Sequence, residues 1–401
     1  MTDRTASLRK RYPTIEDLRR AARRRVPRFG FDYVDGGAGL DLGVARNGAA
    51  LDAIELVPRY GIDGDDIATE VTLFGRRYAL PIGIAPMGLP GLLWPGAEEH
   101  LARAAQAARI PYTAGTVGGV AVERLGKLAP DVLWFQLYRL PADDHKVGFD
   151  LIRRAYDSGA HVLVLTLDVP TRVKRRRELL NGLVIPFRPS WRTYAGAALS
   201  PAWLMAMAKY GQPYFANFTP YAGTNPTPAT IAAFGQREIR SAFSWDEVSR
   251  YRERWKGKLV VKGVLHPLDA EKAVSAGVDG IQVSNHGGRQ LEGAPAAIDV
   301  LPAIAAQVGM RATLLMDSGI RSGLDVVRAI TLGAASTLAG RAFLYALGAI
   351  GAEGAEYAIS LLTEELRASL RQLGCRSLAE ARSVVRRHPG AVQFDCGAAQ
   401  S

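Results

Sequence analysis

The sequence predicts an α/β protein that folds as a single (β/α)8 TIM barrel over residues 1–401, with an N-terminal helical extension and a long insertion after the fourth strand. Three observations support this prediction. From residue 80 onward, short β-branched or apolar runs alternate with longer segments of helical period. Eight such runs occur, and polar residues lie at or close to the ends of most of them. Right-handed crossovers between parallel strands leave few topologies for eight such units besides a closed barrel.

The N-terminal extension, residues 1–79, carries its own helix and hairpin signals. Thr14 is predicted to cap a helix, because Glu16 and Asp17 follow it in a first turn where the helix dipole favours carboxylates. A glycine-rich break follows at 36–39, and residues 71–80 alternate like a short hairpin. We therefore expect a helix and a hairpin to precede the barrel.

The predicted barrel begins with the apolar run at 80–86 and ends with the run at 336–340. An open doubly wound sheet is the alternative, but it needs a glycine-rich phosphate turn after its first strand, and Ala-Pro-Met-Gly at 85–88 is a poor one. The barrel is therefore preferred. The other strands are predicted at 111–116, 132–138, 161–168, 259–264, 280–285 and 313–319, and the clearest helices at 98–109, 149–158, 244–255, 267–276 and 324–332.

The alternation is interrupted once, between Asp168 and Ser244, by an insertion centred on residues 179–237. This segment contains no Asp or Glu and is rich in aromatic residues, with basic residues such as Arg188 and Lys209 beside them. Such a composition suits a lipid interface, although the segment is far too short to span a bilayer core of about 30 Å. We expect it to attach to a membrane surface. The alternative is a lid or an oligomer contact that buries the same side chains.

The net charge of +11 is concentrated in residues 1–30. A basic protein that binds membrane or nucleic acid would explain this charge, but a solvated helix face explains it without a partner, and no nucleic acid is expected. No run of about 18 apolar residues is present to span a membrane. Cys375 and Cys396 are the only cysteines, which suits a reducing compartment. We therefore expect a cytoplasmic protein, peripheral on the inner face of the cell membrane.

Polar residues at the ends of the predicted strands are the first candidates for an active site, because barrel sites lie at that rim. His286 follows the sixth strand, Asp168 ends the fourth, and Arg175 and Arg289 lie close behind these two. Arginine pairs bidentately with a carboxylate, and histidine near its natural pKa can act as a base. This combination predicts proton abstraction from an anionic substrate.

The last two strands carry a different signal. Asp317-Ser318-Gly319-Ile320-Arg321 follows the seventh strand, and Gly340-Arg341 follows the eighth. Glycines let backbone N–H groups approach a phosphate, arginines supply charge, and the helix N-termini that follow add their dipole. We therefore expect a bound phosphate group at this position.

The run Ser284-Asn285-His286-Gly287-Gly288-Arg289-Gln290 resembles the signature of the FMN-dependent 2-hydroxy-acid dehydrogenase and oxidase family. Within that family, the run Arg175-Arg176-Arg177-Glu178, residues 181–186 and the end of the insertion at 216–218 are most similar to the membrane-associated mandelate and lactate dehydrogenases. The resemblance covers most of the chain. It continues in Phe31-Asp32-Tyr33, Ala85-Pro86, Phe135-Gln136-Leu137-Tyr138, Leu165-Thr166-Leu167-Asp168, Val261-Lys262-Gly263, residues 317–321 and Gly340-Arg341.

The resemblance implies FMN-dependent oxidation of an L-2-hydroxy acid, mandelate-like or lactate-like, to the 2-oxo acid. His286 would be the base that removes a proton, and Asp168 would stabilise the resulting imidazolium. Tyr138 would hydrogen-bond the substrate hydroxyl and the developing oxyanion. The residues that the resemblance assigns to the substrate carboxylate are Tyr33, Arg175 and Arg289.

The resemblance also implies FMN as the cofactor, and no metal is expected. Lys262 would lie at the pyrimidine end of the flavin, where its charge stabilises the reduced ring. Gly115 stands where many relatives place a flavin-contacting serine, so one contact is weakened unless Thr116 or a water replaces it. The other cofactor residues are Gln136, Thr166 and Ser284 at the ring edge, Ala85, Pro86, Met87 and Gly88 at its face, and Asp317, Gly319, Arg321, Gly340 and Arg341 along the ribityl chain and phosphate.

The resemblance favours a quinone or another acceptor over oxygen. Family oxidases commonly carry Ala at the position of Gly88, whereas the membrane-associated dehydrogenases carry Gly. An oxidase that releases hydrogen peroxide is the alternative, and a flavin barrel that catalyses isomerisation is disfavoured, since it has no need of a carboxylate clamp. Gly88 and Val117 leave room for a substrate as large as mandelate. A homo-oligomer, a tetramer, is also expected.

Overall fold

The computed structural model describes residues 3–62, 66–183 and 190–394. Cys396, Arg188 and part of the sequence resemblance at 181–186 therefore lie outside the described residues. The first four helices are α1 (Asp3–Arg11), α2 (Ile15–Arg25), α3 (Arg28–Asp35) and α4 (Leu42–Asp52). The predicted cap is confirmed: the Thr14 hydroxyl accepts a hydrogen bond from the Asp17 backbone N–H, and the Asp17 carboxylate accepts one from the Thr14 backbone N–H.

The predicted hairpin closes the bottom of the barrel. After the short strand β1 (Glu55–Leu56), β2 (Val71–Leu73) and β3 (Arg76–Tyr78) pair antiparallel. Phe74, in the turn between them, packs edge-to-face on Trp134 with ring centroids 5.5 Å apart. A Cβ atom at Gly280 would lie 2.7 Å from the Phe74 ring. Glycine is therefore required at the start of β9 (Gly280–Val283), where the Phe74 ring packs against it.

Eight parallel strands close into a barrel, which confirms the predicted fold class. The fifth strand, β8, carries a register shift between Lys262 and Val264. Gly263 has φ +98° there, and a Cβ atom would lie 2.4 Å from the Asp168 carboxyl carbon, so this bulge brings Asp168 close to the barrel wall. The strands are β4 (Ile82–Ile84), β5 (Tyr112–Gly115), β6 (Leu133–Leu137), β7 (Val162–Thr166), β8 (Lys258–Val264), β9 (Gly280–Val283), β10 (Thr313–Met316) and β11 (Ser336–Ala339).

The first half of the barrel is wrapped by α5 (Ala97–Ala108), α6 (Val122–Leu128) and α7 (Ala142–Asp157). The helix predicted at 149–158 begins earlier, although residues 143–145 near the start of α7 are not right-handed helical. Its first turn is unusual, because Asp143, Asp144 and His145 all have positive φ. The His145 ring, 2.8 Å from the Glu247 carboxylate through Nε2, is one tertiary contact that holds this turn.

The insertion folds into α8 (Arg176–Leu180), α9 (Trp191–Ala198), α10 (Pro201–Tyr210) and α11 (Pro228–Glu238). One face of α10 packs inward. The Trp203 indole N–H donates to the carbonyl of Leu92 at 3.3 Å, and its ring meets Phe29 edge-to-face at 5.7 Å. The other face of the α9–α10 pair leaves large apolar side chains exposed, namely Trp191, Tyr194, Leu199 and Met205.

Three of the helices that wrap the second half of the barrel lie at the predicted places, namely α12 (Trp245–Arg254), α13 (Pro267–Ser275) and α15 (Gly323–Thr331). The chain then returns along the N-terminal extension, where β12 (Arg386–Arg387) pairs with β1. The other helices are α14 (Ala297–Val308), α16 (Arg341–Ile350), α17 (Gly354–Gln372) and α18 (Leu378–Ala381).

Candidate active site

His286 lies on a tight turn after β9, at the rim where the strands end. It has φ +59°, a left-handed conformation that is uncommon for a residue with a side chain. The turn is held by hydrogen bonds: the His286 backbone N–H donates to the Ser284 hydroxyl at 3.0 Å, and the Gly287 N–H donates to the Ser318 hydroxyl at 3.0 Å. The backbone therefore fixes the direction in which the imidazole points.

The His286 ring is oriented by a carboxylate. Its Nδ1 lies 3.0 Å from Asp168 Oδ1, which places the proton on Nδ1 and leaves the Nε2 lone pair free to accept one. The Tyr138 hydroxyl lies 3.5 Å from Nε2, so both groups face the same reacting position. Asp168 Oδ2 is buried without a hydrogen-bond partner among the described residues.

Burial and charge act in opposite directions on this pair. Burial lowers the pKa of His286, while the Asp168 carboxylate opposes that effect. Burial tends to raise the pKa of Asp168, but its interactions with His286 and with the Lys262 ammonium outweigh burial and leave this pKa below its usual range. An ionised carboxylate beside a neutral imidazole is the arrangement that a general base requires.

Two arginines meet next to the His–Asp pair. The Arg289 guanidinium is held by the carbonyls of Tyr33, at 2.6 Å, and Gly36, at 2.9 Å, and by the Glu178 carboxylate at 2.8 Å. Arg175 lies 3.3 Å from the same carboxylate oxygen. The Tyr33 hydroxyl, predicted to contact the substrate, donates to the carbonyl of Gly88 at 2.8 Å.

Glu178 was not predicted as a site residue, although it accepts hydrogen bonds from both arginines. It lies three residues after Arg175, on the short helix α8. Residues three apart share a helix face, so this spacing was the signal that would have placed its carboxylate beside Arg175. No spacing in the sequence indicates the contact between Glu178 and Arg289, because 111 residues separate them.

Near β6 and β7, the floor of the site consists of polar side chains that are hydrogen-bonded to one another and to the backbone. Gln136 Nε2 donates to the Thr166 hydroxyl at 2.8 Å. The Thr116 hydroxyl donates to the Gln136 backbone carbonyl at 2.7 Å and accepts from the Tyr138 N–H at 3.1 Å. Because the Thr116 hydroxyl is committed to backbone groups, it is not positioned to replace the side chain that Gly115 lacks.

Lys262 is a buried cation in the same floor, on β8 and in register with Thr166 of β7. Its Nζ lies 2.9 Å from the Ser284 hydroxyl and 3.4 Å from Asp317 Oδ2. Burial lowers the pKa of Lys262, but the carboxylates of Asp317 and Asp168 outweigh burial and raise it above its usual value. The ammonium therefore keeps its charge inside the barrel.

The predicted phosphate position contains two arginines that lack a carboxylate partner within the described part of the chain. Arg341 donates to the carbonyls of Val34, Gly36 and Gly287 at 2.7–2.8 Å, and burial lowers its pKa to about 9. Arg321 donates to the carbonyl of Ile320 at 2.8 Å. Helix α16 begins at Arg341, so its dipole adds to this uncompensated positive potential.

One cavity, open to solvent, joins these groups. Every predicted site residue lines it except Asp168 and Ser284, which lie behind His286 and Lys262. Val117 lines the cavity beside Gly88, as the substrate argument expected. Three further lining residues, Gly287, Ser318 and Ile320, belong to the runs noted in the sequence, and the ones that the sequence did not suggest are apolar, namely Val34, Leu338, Ala339 and Leu344.

Comparison with known proteins gives consistent matches. The family model described as FMN-dependent dehydrogenase matches residues 22–387. The L-lactate dehydrogenase of Caulobacter sp. (strain K31) is 40% identical over 363 residues, 90% of this chain and 95% of that protein. That of Pseudomonas syringae pv. syringae is 38% identical over 368 residues, 92% of this chain and 96% of that one.

Solved structures agree. The monotopic membrane protein (S)-mandelate dehydrogenase superposes with a TM-score of 0.88 at 33% identity, and the match covers 94% of this chain and 99% of that one. A mandelate oxidase structure superposes with a TM-score of 0.81 at 37% identity, with the same coverage. The likeness therefore extends over the barrel and the elements around it.

Proposed function

Since this chain belongs to the family of FMN-dependent dehydrogenases, we propose that His286 is the base through which it oxidises a mandelate-like or lactate-like acid. The reaction class is FMN-dependent oxidation of an L-2-hydroxy acid to the 2-oxo acid. The observation that carries the proposal is the 3.0 Å contact between His286 Nδ1 and Asp168 Oδ1, which leaves Nε2 to the cavity beside Tyr138.

The donor set of the cavity fits FMN. A buried ammonium, an amide and hydroxyl groups line the floor, as an isoalloxazine edge requires, and the two arginines without carboxylate partners offer a phosphate its countercharge. Lys262, Gln136 and Thr166 would hold the ring, with Ser284 supporting Lys262. Asp317 would hold the ribityl chain, and Arg321 with the N-terminus of α16 the phosphate. When bound, FMN accepts the two electrons that the hydroxy acid gives up.

The protein's side chains bind the substrate, accept its proton and stabilise the charge that develops. Arg175 and Arg289 hold the substrate carboxylate, which orients the hydroxyl-bearing carbon toward His286. His286 Nε2 accepts a substrate proton, and Asp168 stabilises the imidazolium that forms. The Tyr138 hydroxyl donates to the substrate oxygen as negative charge develops on it.

The experiment is anaerobic flavin reduction in a His286→Gln variant. We expect the variant to retain FMN and to be reduced by the hydroxy acid at least about a hundredfold more slowly, because the base is lost. His388→Gln is the matched control: His388 also pairs with a carboxylate, Asp299 at 2.8 Å, but does not line the cavity. A near-normal reduction rate in His286→Gln would exclude His286 as the base.

We also propose a large substrate pocket. A Cβ atom at Gly88 would lie 2.9 Å from Val117 Cγ2 and 3.5 Å from the Tyr33 hydroxyl, so a side chain there would displace Val117, and glycine keeps the adjoining part of the cavity free next to the carboxylate clamp. This space suits an aryl substituent and favours mandelate or a related aromatic hydroxy acid. Relative rates of reduction by (S)-mandelate, L-lactate and glycolate test the proposal, and exclusive use of glycolate contradicts it.

We propose that a quinone accepts the electrons from the reduced flavin, and that the protein reaches the quinone by attaching to the inner face of the cell membrane. The exposed face formed by Trp191, Tyr194, Leu199 and Met205 supports this proposal, since aromatic and apolar side chains favour the headgroup boundary. Within the described ranges, no helix is both long and apolar enough to cross a bilayer. The homo-oligomer stays a prediction, which light scattering on the purified protein tests.

A further inference from the structure

Gln282, on β9, is a fully buried polar side chain with one hydrogen bond among the described residues. Its Nε2 donates to Asp317 Oδ2 at 2.6 Å, while its Oε1 is buried without a partner. Burying an amide with one polar atom unsatisfied costs folding free energy. The hydrogen bond to Asp317 is the one polar interaction within the described residues that this side chain makes in return. Ser284 lies two residues further along the chain and therefore on the same face, where it accepts from Lys262.

Gln282 Nε2 and Lys262 Nζ approach the same oxygen of the Asp317 carboxylate at very different distances. Asp317 Oδ2 lies 2.6 Å from Gln282 Nε2 but 3.4 Å from Lys262 Nζ. An unobstructed ammonium–carboxylate contact settles near 2.7–2.9 Å. Lys262 instead makes its short contact, 2.9 Å, with the Ser284 hydroxyl. The Ser318 hydroxyl donates to the other oxygen of Asp317 at 2.8 Å, so the carboxylate is held from two sides without Lys262.

We propose that Gln282 is a positioning residue that holds Asp317 away from Lys262 and so keeps the ammonium available to the pyrimidine end of bound FMN. The inference rests on the proposed place of Lys262 beside the flavin. A fixed positive charge stabilises the reduced, more negative flavin, which raises its reduction potential. Without Gln282, Asp317 Oδ2 takes Lys262 as its donor, the ammonium moves toward the carboxylate, and the potential falls.

The test is the two-electron midpoint potential of the FMN-loaded protein, measured against reference dyes without substrate. In Gln282→Met and Gln282→Leu we expect the equilibrium constant for flavin reduction to fall at least tenfold, which is about 30 mV more negative. Thr337→Val is the matched control, because Thr337 is equally buried on β11 but its hydroxyl donates to the carbonyl of Pro81. Its potential should equal that of the parent protein.

Three results overturn the proposal. The first is a potential that is unchanged or higher in either apolar variant. The second is loss of FMN binding by both variants with an unchanged melting temperature of the apoprotein, since Gln282 would then act in binding. If neither apolar variant folds, Gln282→Glu replaces them, because it keeps the side-chain length. Its carboxylate adds a second negative group beside Asp317 and attracts the Lys262 ammonium, so the flavin potential of this variant should also fall. The third is a Gln282→Glu potential that does not fall.

Lys262→Met separates this inference from the function on which it rests. If Lys262 lies beside the flavin, its removal lowers the potential, and adding Gln282→Met to Lys262→Met changes nothing further, because the two residues act through one charge. An unchanged potential in Lys262→Met removes the proposed place of Lys262. A drop in Lys262→Met without a drop in Gln282→Met, or additive drops in the double variant, rejects the role of Gln282 alone.

Discussion

The Glu178 carboxylate lies 2.8 Å from the guanidinium of Arg289, the arginine expected to bind the substrate carboxylate. The same oxygen also contacts Arg175 at 3.3 Å. Burial lowers the pKa of Arg289, and Arg175 lowers it further, whereas Glu178 opposes both effects. Glu178 therefore offsets the repulsion between two arginines that lie side by side before any substrate arrives.

We predict that Glu178→Ala lowers kcat/KM by about tenfold, or about 1.4 kcal/mol. Without the shared acceptor the two guanidinium groups repel each other and lose their common orientation. Glu178→Gln should cost less, because its amide oxygen still accepts a hydrogen bond. Stopped-flow flavin reduction over a range of substrate concentrations measures both. Glu271→Ala, which breaks an exposed pair with Arg311, is the control, and equal values for Glu178→Ala and parent would contradict the prediction.

The pH profile of flavin reduction should report His286. Burial lowers its pKa, and the base works in the neutral form, so the rate should be lost only as the pH falls below the ordinary histidine value of about 6.5. Asp168 raises this pKa, so Asp168→Asn should move the acid limb to still lower pH and reduce the plateau rate about a hundredfold or more. An acid limb that moves upward in Asp168→Asn would contradict the assignment.

The pocket beside Gly88 should discriminate by size. In Gly88→Ala the new Cβ atom meets Val117 Cγ2 at 2.9 Å, a distance that forces one of them to move into the cavity. We expect reduction by (S)-mandelate to slow at least tenfold more than reduction by L-lactate. Val117→Ala removes the clash, so the double variant Gly88→Ala with Val117→Ala should recover the rate of reduction by (S)-mandelate. Equal losses for both acids would show that this space does not hold the substituent.

The exposed face of α9 and α10 should carry membrane attachment. We predict that Leu199→Glu with Met205→Glu releases the protein from anionic liposomes at low salt, while anaerobic flavin reduction is unchanged. Point changes suit this test, because deleting the insertion would also remove the buried Trp203. Met310→Glu is the control, because Met310 is an apolar residue outside α9 and α10 that is even more exposed than Leu199 and Met205. If the parent protein does not sediment with such liposomes, a lid or an oligomer contact replaces this interpretation.

The barrel could be predicted because its signals are local. Each strand is a short apolar run, and parallel closure brings all the strand ends to one rim, so His286 and Asp168 could be placed together although 118 residues separate them. The prediction of a phosphate at the ends of the last two strands rests on the same geometry. Chemistry at strand ends is therefore readable from sequence once the number of strands is known.

The parts that could not be predicted depend on contacts between distant segments. The first turn of α7 has three non-glycine residues with positive φ, which local propensity opposes, and it is held in part by the His145–Glu247 contact. The composition of the insertion indicated an apolar surface, but not that Trp203 would turn inward onto Phe29. The Glu178–Arg289 contact likewise depends on how α8 lies against the rim.

The three carbonyls that Arg341 binds have a consequence for the order of folding. They belong to residues 34, 36 and 287, whereas the guanidinium comes from the turn after the last barrel strand. During synthesis the N-terminal segment must wait, without this partner, until some three hundred further residues have left the ribosome. Closing so long a loop is slow, so the pocket should be the last region of a newly made chain to resist proteolysis.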